Sequence, residues 1–396
     1  MASDVSAAAD RKIPLSVPHL GGNEWAYVKE CLDTNWVSSA GPFVTRLERV
    51  IAERAGRAHG VAVVNGTAAL HTALLIAGVE VNDEVLMPAL TFIAPANAVR
   101  YVGAWPVFID VERDHWQLDP AKLADFVARE CEWRHGSLWN RTSGRRVRAV
   151  LPVDLLGHPV DADPILETAR SRELVVVEDA TESLGARYRT RPVGSIGDVA
   201  CFSFNGNKIV TSGGGGVIVT DNAAWADRAR YLTTQAKDDP VEYKHGDVGY
   251  NYRLTNIQAA VGVAQMERLD DHVGKKRRIA AMYTAQFAGI PGLQAMTEAA
   301  WAFSAFWLFT VLVGDRECGI DSRALLRALA ASGIEARPLW QPLHTSAAHR
   351  GCQAYRVEVA DVLYRQALSL PSSVGLDPRD QQRVIDVVVE NARRAQ

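Results

Sequence analysis

The chain has 396 residues, 48% of them apolar and 22% charged, which suits a soluble globular protein of one large domain plus a smaller one. Its net charge of −3 gives no reason to expect nucleic acid as the main partner, and no apolar run reaches the roughly 18 residues that span a bilayer. Five scattered cysteines with no C-x-x-C pair argue against a disulfide framework or a zinc site, and for a reducing cytoplasm. The opening "MASDVSAAADRK" lacks the apolar core of a secretory signal and reads as a flexible lead-in over 1–12.

From there, short apolar runs alternate with helical patterns. "HGVAVVN" (59–65) predicts a buried strand, and "GTAALHTALLIAGV" a helix opened by Gly66 and Thr67. Further strands are expected over 83–90, 104–111, 148–157 and 175–180, with helices between them. Continuous rather than alternating apolar runs belong to strands buried on both faces. The class is therefore α/β, a mostly parallel sheet between helical layers. The polar stretch 130–148 reads as a hairpin-like insertion, and "VACFSFN" and "GVIVTDN" as neighbouring strands. "RLDDHVGKKRRIAAMYTAQFAG" predicts a helix bridging two domains. Beyond it come a strand over 304–313, a helix over 322–333 and a closing helix. The expected division is a large domain over 13–270 and a smaller α+β domain over 271–396.

The chemistry centres on Lys208 and Asp179. Asp179 ends the valine strand "VVVEDA", and Lys208 follows another strand and precedes four consecutive glycines. In parallel sheets ligands gather at the carboxyl ends of strands. A lysine amine can form an imine with a carbonyl compound when it is desolvated or suitably placed among charges. Pyridoxal phosphate needs such a lysine, and a carboxylate to keep its pyridine nitrogen protonated. "NGTAAL" (65–70) opens a helix directly after a strand, where free N–H groups favour an anion such as phosphate. Each feature alone has an ordinary reading: a solvated lysine, a capping aspartate, a flexible glycine turn. Their coincidence favours the cofactor.

Together "NGTAAL", "PALTFIAPANAV", "VEDATESLGA", "GSIGDVACFSFNGNKIVTSGGGG", "GYNYRLTNIQAAVGVAQMERLD" and "ARPLWQPLH" resemble the DegT/DnrJ/EryC1/StrS sugar aminotransferase family over nearly the whole chain. The resemblance implies the fold-type-I aminotransferase architecture with pyridoxal 5'-phosphate as cofactor. "SFNGNKI", "DATESLG" and the 130–148 insertion look like its LegC-like branch, whose members aminate nucleotide-linked 4-keto-6-deoxy-N-acetylhexosamines for legionaminic acid or bacillosamine-type glycans. L-Glutamate is the implied amino donor.

By the same resemblance Lys208 would hold the cofactor's aldehyde and shuttle the proton, and Asp179 would pair with the pyridine nitrogen. Glu182 stands where the family commonly has glutamine near the ring hydroxyl. Gly66 and Thr67, helped by Ser203, would bind the phosphate, and Phe92 would stack on the ring. Asn251 would reach the cofactor phosphate of a neighbouring subunit, implying a homodimer with shared sites. Arg337, Trp340 and His344 fall in a segment near the sugar nucleotide.

Two positions depart from the family pattern. The spacer before the lysine is Asn205-Gly206-Asn207, and Asp154 replaces a frequent histidine, where an acid would alter how sugar or donor is held. A related group of sugar dehydratases carries histidine in place of the lysine, and Lys208 argues against it. UDP, GDP and dTDP are all compatible with these motifs. An aminotransferase for another keto sugar or an amino-cyclitol ketone, and a non-catalytic nucleotide-sugar-binding protein, are the rival readings.

Overall fold

A computed structural model describes residues 12–239 and 241–394. The expected lead-in, apart from Lys12, lies outside these residues. The large sheet is built from β1 (His59–Val63), β2 (Glu84–Pro88), β3 (Trp105–Ile109), β4 (Arg146–Val150), β5 (Val175–Asp179), β6 (Val199–Ser203) and β7 (Gly216–Thr220). Their order across the sheet is β1-β7-β6-β5-β4-β2-β3, with the two-residue strand Ala354–Tyr355 beyond β3. All neighbouring pairs from β6 to that edge are parallel, whereas β7 runs against both β6 and β1. Reversing β7 leaves β1 pointing the same way as the parallel set. The carboxyl ends of β1, β2, β4, β5 and β6 therefore open on one side.

The predicted insertion is a hairpin of Cys131–Arg134 and Ser137–Asn140, the second arm pairing with the start of β4. The strand expected over 304–313 forms only at Phe309–Val313. Its first half is a loop in which Phe306 takes a positive φ of 46°, a conformation that interrupts pairing in a bulky residue. Apolar content alone could not signal that break, because the residues concerned are apolar for another reason, given below.

Helices cover both faces. α1 (Glu24–Asp33) and α2 (Pro42–Ala55) come first. Pro42 sits in the first turn of α2, and Gly56 ends it in the left-handed conformation at φ 66°. α3 (Gly66–Ile76) follows β1 and is buried on nearly every side, as a helix packed between sheet and neighbours must be. Asn65 caps it, its side-chain oxygen accepting from the Ala68 N–H at 2.8 Å. A long helix, α4 (Leu269–Phe287), leads to a second sheet. That sheet is antiparallel, with β8 (Leu293–Ala295), β9 (Phe309–Val313), β10 (Arg337–Pro338) and β11 (Ala367–Leu370) in the order β8-β9-β11-β10. α5 (Ser322–Ala331) and α6 (Pro378–Arg394) pack with it. Ile13, Tyr283, Phe309, Leu325, Leu368 and Val384 share its core.

Candidate active site

At the carboxyl ends of the parallel strands lies a cleft of about 460 Å³, within the range that takes a drug-sized ligand. Asp179, the last residue of β5, forms its floor and is 1% exposed. Its carboxylate accepts the Thr181 N–H at 3.0 Å. Burial pushes its pKa up, against the opposing pull of Thr181 and the Lys208 charge. No ion pair reaches this carboxylate among the described residues.

Lys208 stands on the loop between β6 and β7, its side chain largely buried. Its Nζ lies 3.5 Å from Glu182 Oε1 and 3.9 Å from the centre of the Trp307 indole. Glu182 is held from behind by the Leu156 N–H, which donates to Oε2 at 2.9 Å. Burial raises the Glu182 pKa as well, with Lys208 pulling it down and Asp179 pushing it up. One amine thus faces two buried carboxyls within a single cleft. That arrangement leaves Asp179 without a cationic N–H partner in hydrogen-bond contact.

Among the glycines after the lysine, Gly213 and Gly215 take positive φ of 75° and 126°, and Gly216 is required by close approach. A Cβ on Gly216 would lie 2.6 Å from the Asn65 carbonyl oxygen, so only glycine lets β7 start against the cap of α3. A Cβ on Gly66 would meet the Ser203 Cβ at 2.9 Å. The start of α3, the end of β6 and Thr181 therefore converge, and the first N–H groups of α3 have no partner inside the helix. Gly66, Thr67 and Ser203 line the cleft there. These features fit pyridoxal phosphate: an anion site at a helix start, a floor carboxylate and a facing lysine.

Phe92, Arg337 and Trp340 also line the cleft. Phe92 meets Trp340 edge-on at 6.3 Å, and Trp340 stacks with Trp307 at an interplanar angle of 9°. Three predicted residues lie elsewhere. Asp154 is fully buried away from the cleft. It accepts from the Val160 N–H at 3.0 Å and the Ser183 hydroxyl at 2.8 Å, and burial holds its pKa well above the usual range. Its expected contact with sugar or donor is corrected accordingly. His344 Nε2 sits 3.5 Å from Asp361, outside the cleft lining. Asn251 is exposed on the surface, bridged to Thr234, and does not line the cleft of its own chain. Leu15, Thr181, Trp307 and Ser369 line the cleft without having been expected there. Trp307 was hidden because "SAFWLF" has the composition of a core strand.

Residues 18–389 match the DegT/DnrJ/EryC1/StrS aminotransferase family. The chain belongs to that family. It is 39% identical over 377 residues to a GDP-perosamine synthase of Caulobacter vibrioides, covering 94% of this chain and 96% of the relative. It is also 39% identical over 383 residues to the putative pyridoxal phosphate-dependent aminotransferase EpsN of Bacillus subtilis, covering 96% and 95%. Among solved structures, DesV of S. venezuelae superposes with a TM-score of 0.83 at 34% identity, covering 93% of this chain and 94% of that one. DesI, solved with its TDP-sugar product, gives 0.87 at 29% identity, covering 97% and 94%. This DegT/DnrJ/EryC1/StrS member is thus a pyridoxal-phosphate-dependent sugar aminotransferase. The LegC-like branch is not the one that the curated relatives' names point to. No described helix is long and apolar enough to cross a membrane.

Proposed function

We propose that the chain transfers an amino group from L-glutamate to a nucleotide-linked 4-keto-6-deoxyhexose, with GDP as the preferred carrier. The observation that carries the reaction is the Lys208 amine, 3.5 Å from Glu182 in the cleft whose floor is Asp179. The GDP preference rests on the names of relatives at 39% and 37% identity. The N-acetylated hexosamine of the LegC-like reading rests on "SFNGNKI", "DATESLG" and the 130–148 insertion and is second.

Pyridoxal phosphate, when bound, supplies an electron sink that acidifies the carbon bearing nitrogen. Asp179 would hold the ring nitrogen protonated, and its buried carboxylate would gain the cationic partner it lacks. The start of α3 at Gly66 and Thr67, with Ser203, would hold the phosphate. Phe92 would cover the ring face. Lys208 Nζ would take a proton from the donor's α-carbon and deliver it to the carbon of the cofactor that had carried the aldehyde, as general base and then acid, and the other half-reaction would run the same transfer in reverse. Arg337 and Trp340 at the mouth suit a charged, ring-bearing nucleotide sugar. Asn251 would complete the site of a second copy. A homodimer also suits the exposed Trp25 and Trp36, 81% and 50% accessible. The five cysteines are free thiols, which suits a cytoplasmic reaction.

The test is single-turnover amination by the pyridoxamine-loaded protein across GDP-, UDP- and dTDP-linked keto sugars, with and without an N-acetyl group. The highest kcat/KM is expected for the GDP sugar. A UDP-linked N-acetyl sugar in first place would replace this reading with the LegC-like one. Tight binding without amination of any sugar would leave a binding protein. Lys208→Ala is expected to lose at least about 10²–10⁴-fold in kcat/KM, the scale of a lost general acid–base group.

A further inference from the structure

Lys276, on α4, is buried at 2% exposure, and among the described residues no carboxylate pairs with it. Its Nζ donates to the carbonyl oxygen of Trp307 at 2.7 Å. A buried ammonium without a counterion is costly, and burial alone draws this one down to about 7. A lysine is therefore an expensive way to satisfy one carbonyl. What that carbonyl belongs to gives the reason. The Trp307 ring is the surface against which Lys208 Nζ rests, at 3.9 Å. The Trp307 indole N–H also donates to the Asn207 carbonyl at 2.7 Å, gripping the residue just before Lys208. On the other side, the Trp307 backbone nitrogen would lie 2.7 Å from a Cβ on Gly157. The Trp307 backbone is thus seated against Gly157 and tied to Lys276, while its side chain touches Lys208 directly and through Asn207.

We propose that Lys276 is a positioning residue for the reaction: by holding the Trp307 carbonyl, it fixes the indole that supports positive charge on the Lys208 nitrogen. The proposal rests on the reading of Lys208 as the reacting amine. An aromatic face favours a cation set over it, so loss of the indole's placement disfavours charge at Nζ.

The experiment is a pH titration of the visible absorption band of the pyridoxal-phosphate-loaded protein. Wild type is compared with Lys276→Met, Lys276→Arg and Trp307→Phe. Lys276→Met is expected to lower the midpoint by roughly half to one pH unit, the scale of a partly buried cation–π contact. Lys276→Arg, which keeps a donor, restores most of the shift. Trp307→Phe moves the midpoint in the same direction, and adding Lys276→Met to it moves it little further, because the two act on one contact. An unchanged midpoint in Lys276→Met, or full additivity with Trp307→Phe, overturns the proposal. Should the methionine variant aggregate, Lys276→Gln, whose shorter amide falls short of the carbonyl, is read the same way. Failure of the underlying reading is seen separately: borohydride would then not fix the cofactor to Lys208 in the wild type.

Discussion

At the scale of single residues, the site is a problem of charge in a confined space. Asp179 and Glu182 are both buried and both drawn upward in pKa by burial, and the charge of one lysine, Lys208, pulls against both. Asp179→Asn keeps the shape and the Thr181 contact but removes the charge available to a pyridinium. It is expected to cost on the order of 10²–10³-fold in kcat/KM, the scale of one lost electrostatic contact to the reacting system, while the melting temperature holds. Steady-state kinetics beside a thermal melt check this. Lys208 and Asp179 were legible in the sequence because a strand end followed by an acid, and a lysine before a glycine run, are local signals. Asp154 was misread because the fate of a carboxylate depends on which donors the fold brings to it. Its donors come from Val160 and Ser183, and nothing in "PVDLLGHP" announces Ser183.

At the scale of elements, the inner end of the cleft is made by the start of α3 and the ends of β5 and β6. Gly66 lets α3 begin against Ser203. Gly66→Ala would force the new Cβ within 2.9 Å of the Ser203 Cβ, an overpacked contact worth about 1–3 kcal/mol. Affinity for pyridoxal phosphate should fall by about tenfold or more, read by quenching of protein fluorescence on titration with the cofactor. Asn65→Ala removes the cap and should lower stability by about 1 kcal/mol, read in urea unfolding. The strands of the large sheet could be read from sequence because their apolar runs are unbroken, except that the run expected over 148–157 forms a strand only at Arg146–Val150 and closes in a turn at Leu155–Gly157. The loop at 304–308 could not. Its Trp307 and Leu308 face the ligand cleft rather than a sheet, and composition does not distinguish the two.

At the scale of the whole molecule, the two sheets meet at the cleft, and Lys276 of α4 ties to that junction through the Trp307 carbonyl. Its ionisation couples the junction to pH. The folded-state value of about 7 lies below the ordinary 10.5. Below pH 7 both folded and unfolded chains carry the charge, and the burial penalty is in full force. As pH rises from 7 toward 10.5 the folded chain sheds a proton that the unfolded chain keeps, so stability rises. Urea midpoints should therefore climb between pH 7 and 9 more in the wild type than in Lys276→Met. The assembled molecule should also be a dimer, its mass in solution twice that of the 43.2 kDa chain by sedimentation. The most direct measurement concerns the bond on which the whole reading turns. The protein is loaded with pyridoxal phosphate, reduced with borohydride, digested and mapped by mass spectrometry. The reduced cofactor is predicted on the peptide containing Lys208 and on no other; its appearance on a different lysine, or on none, would contradict the account.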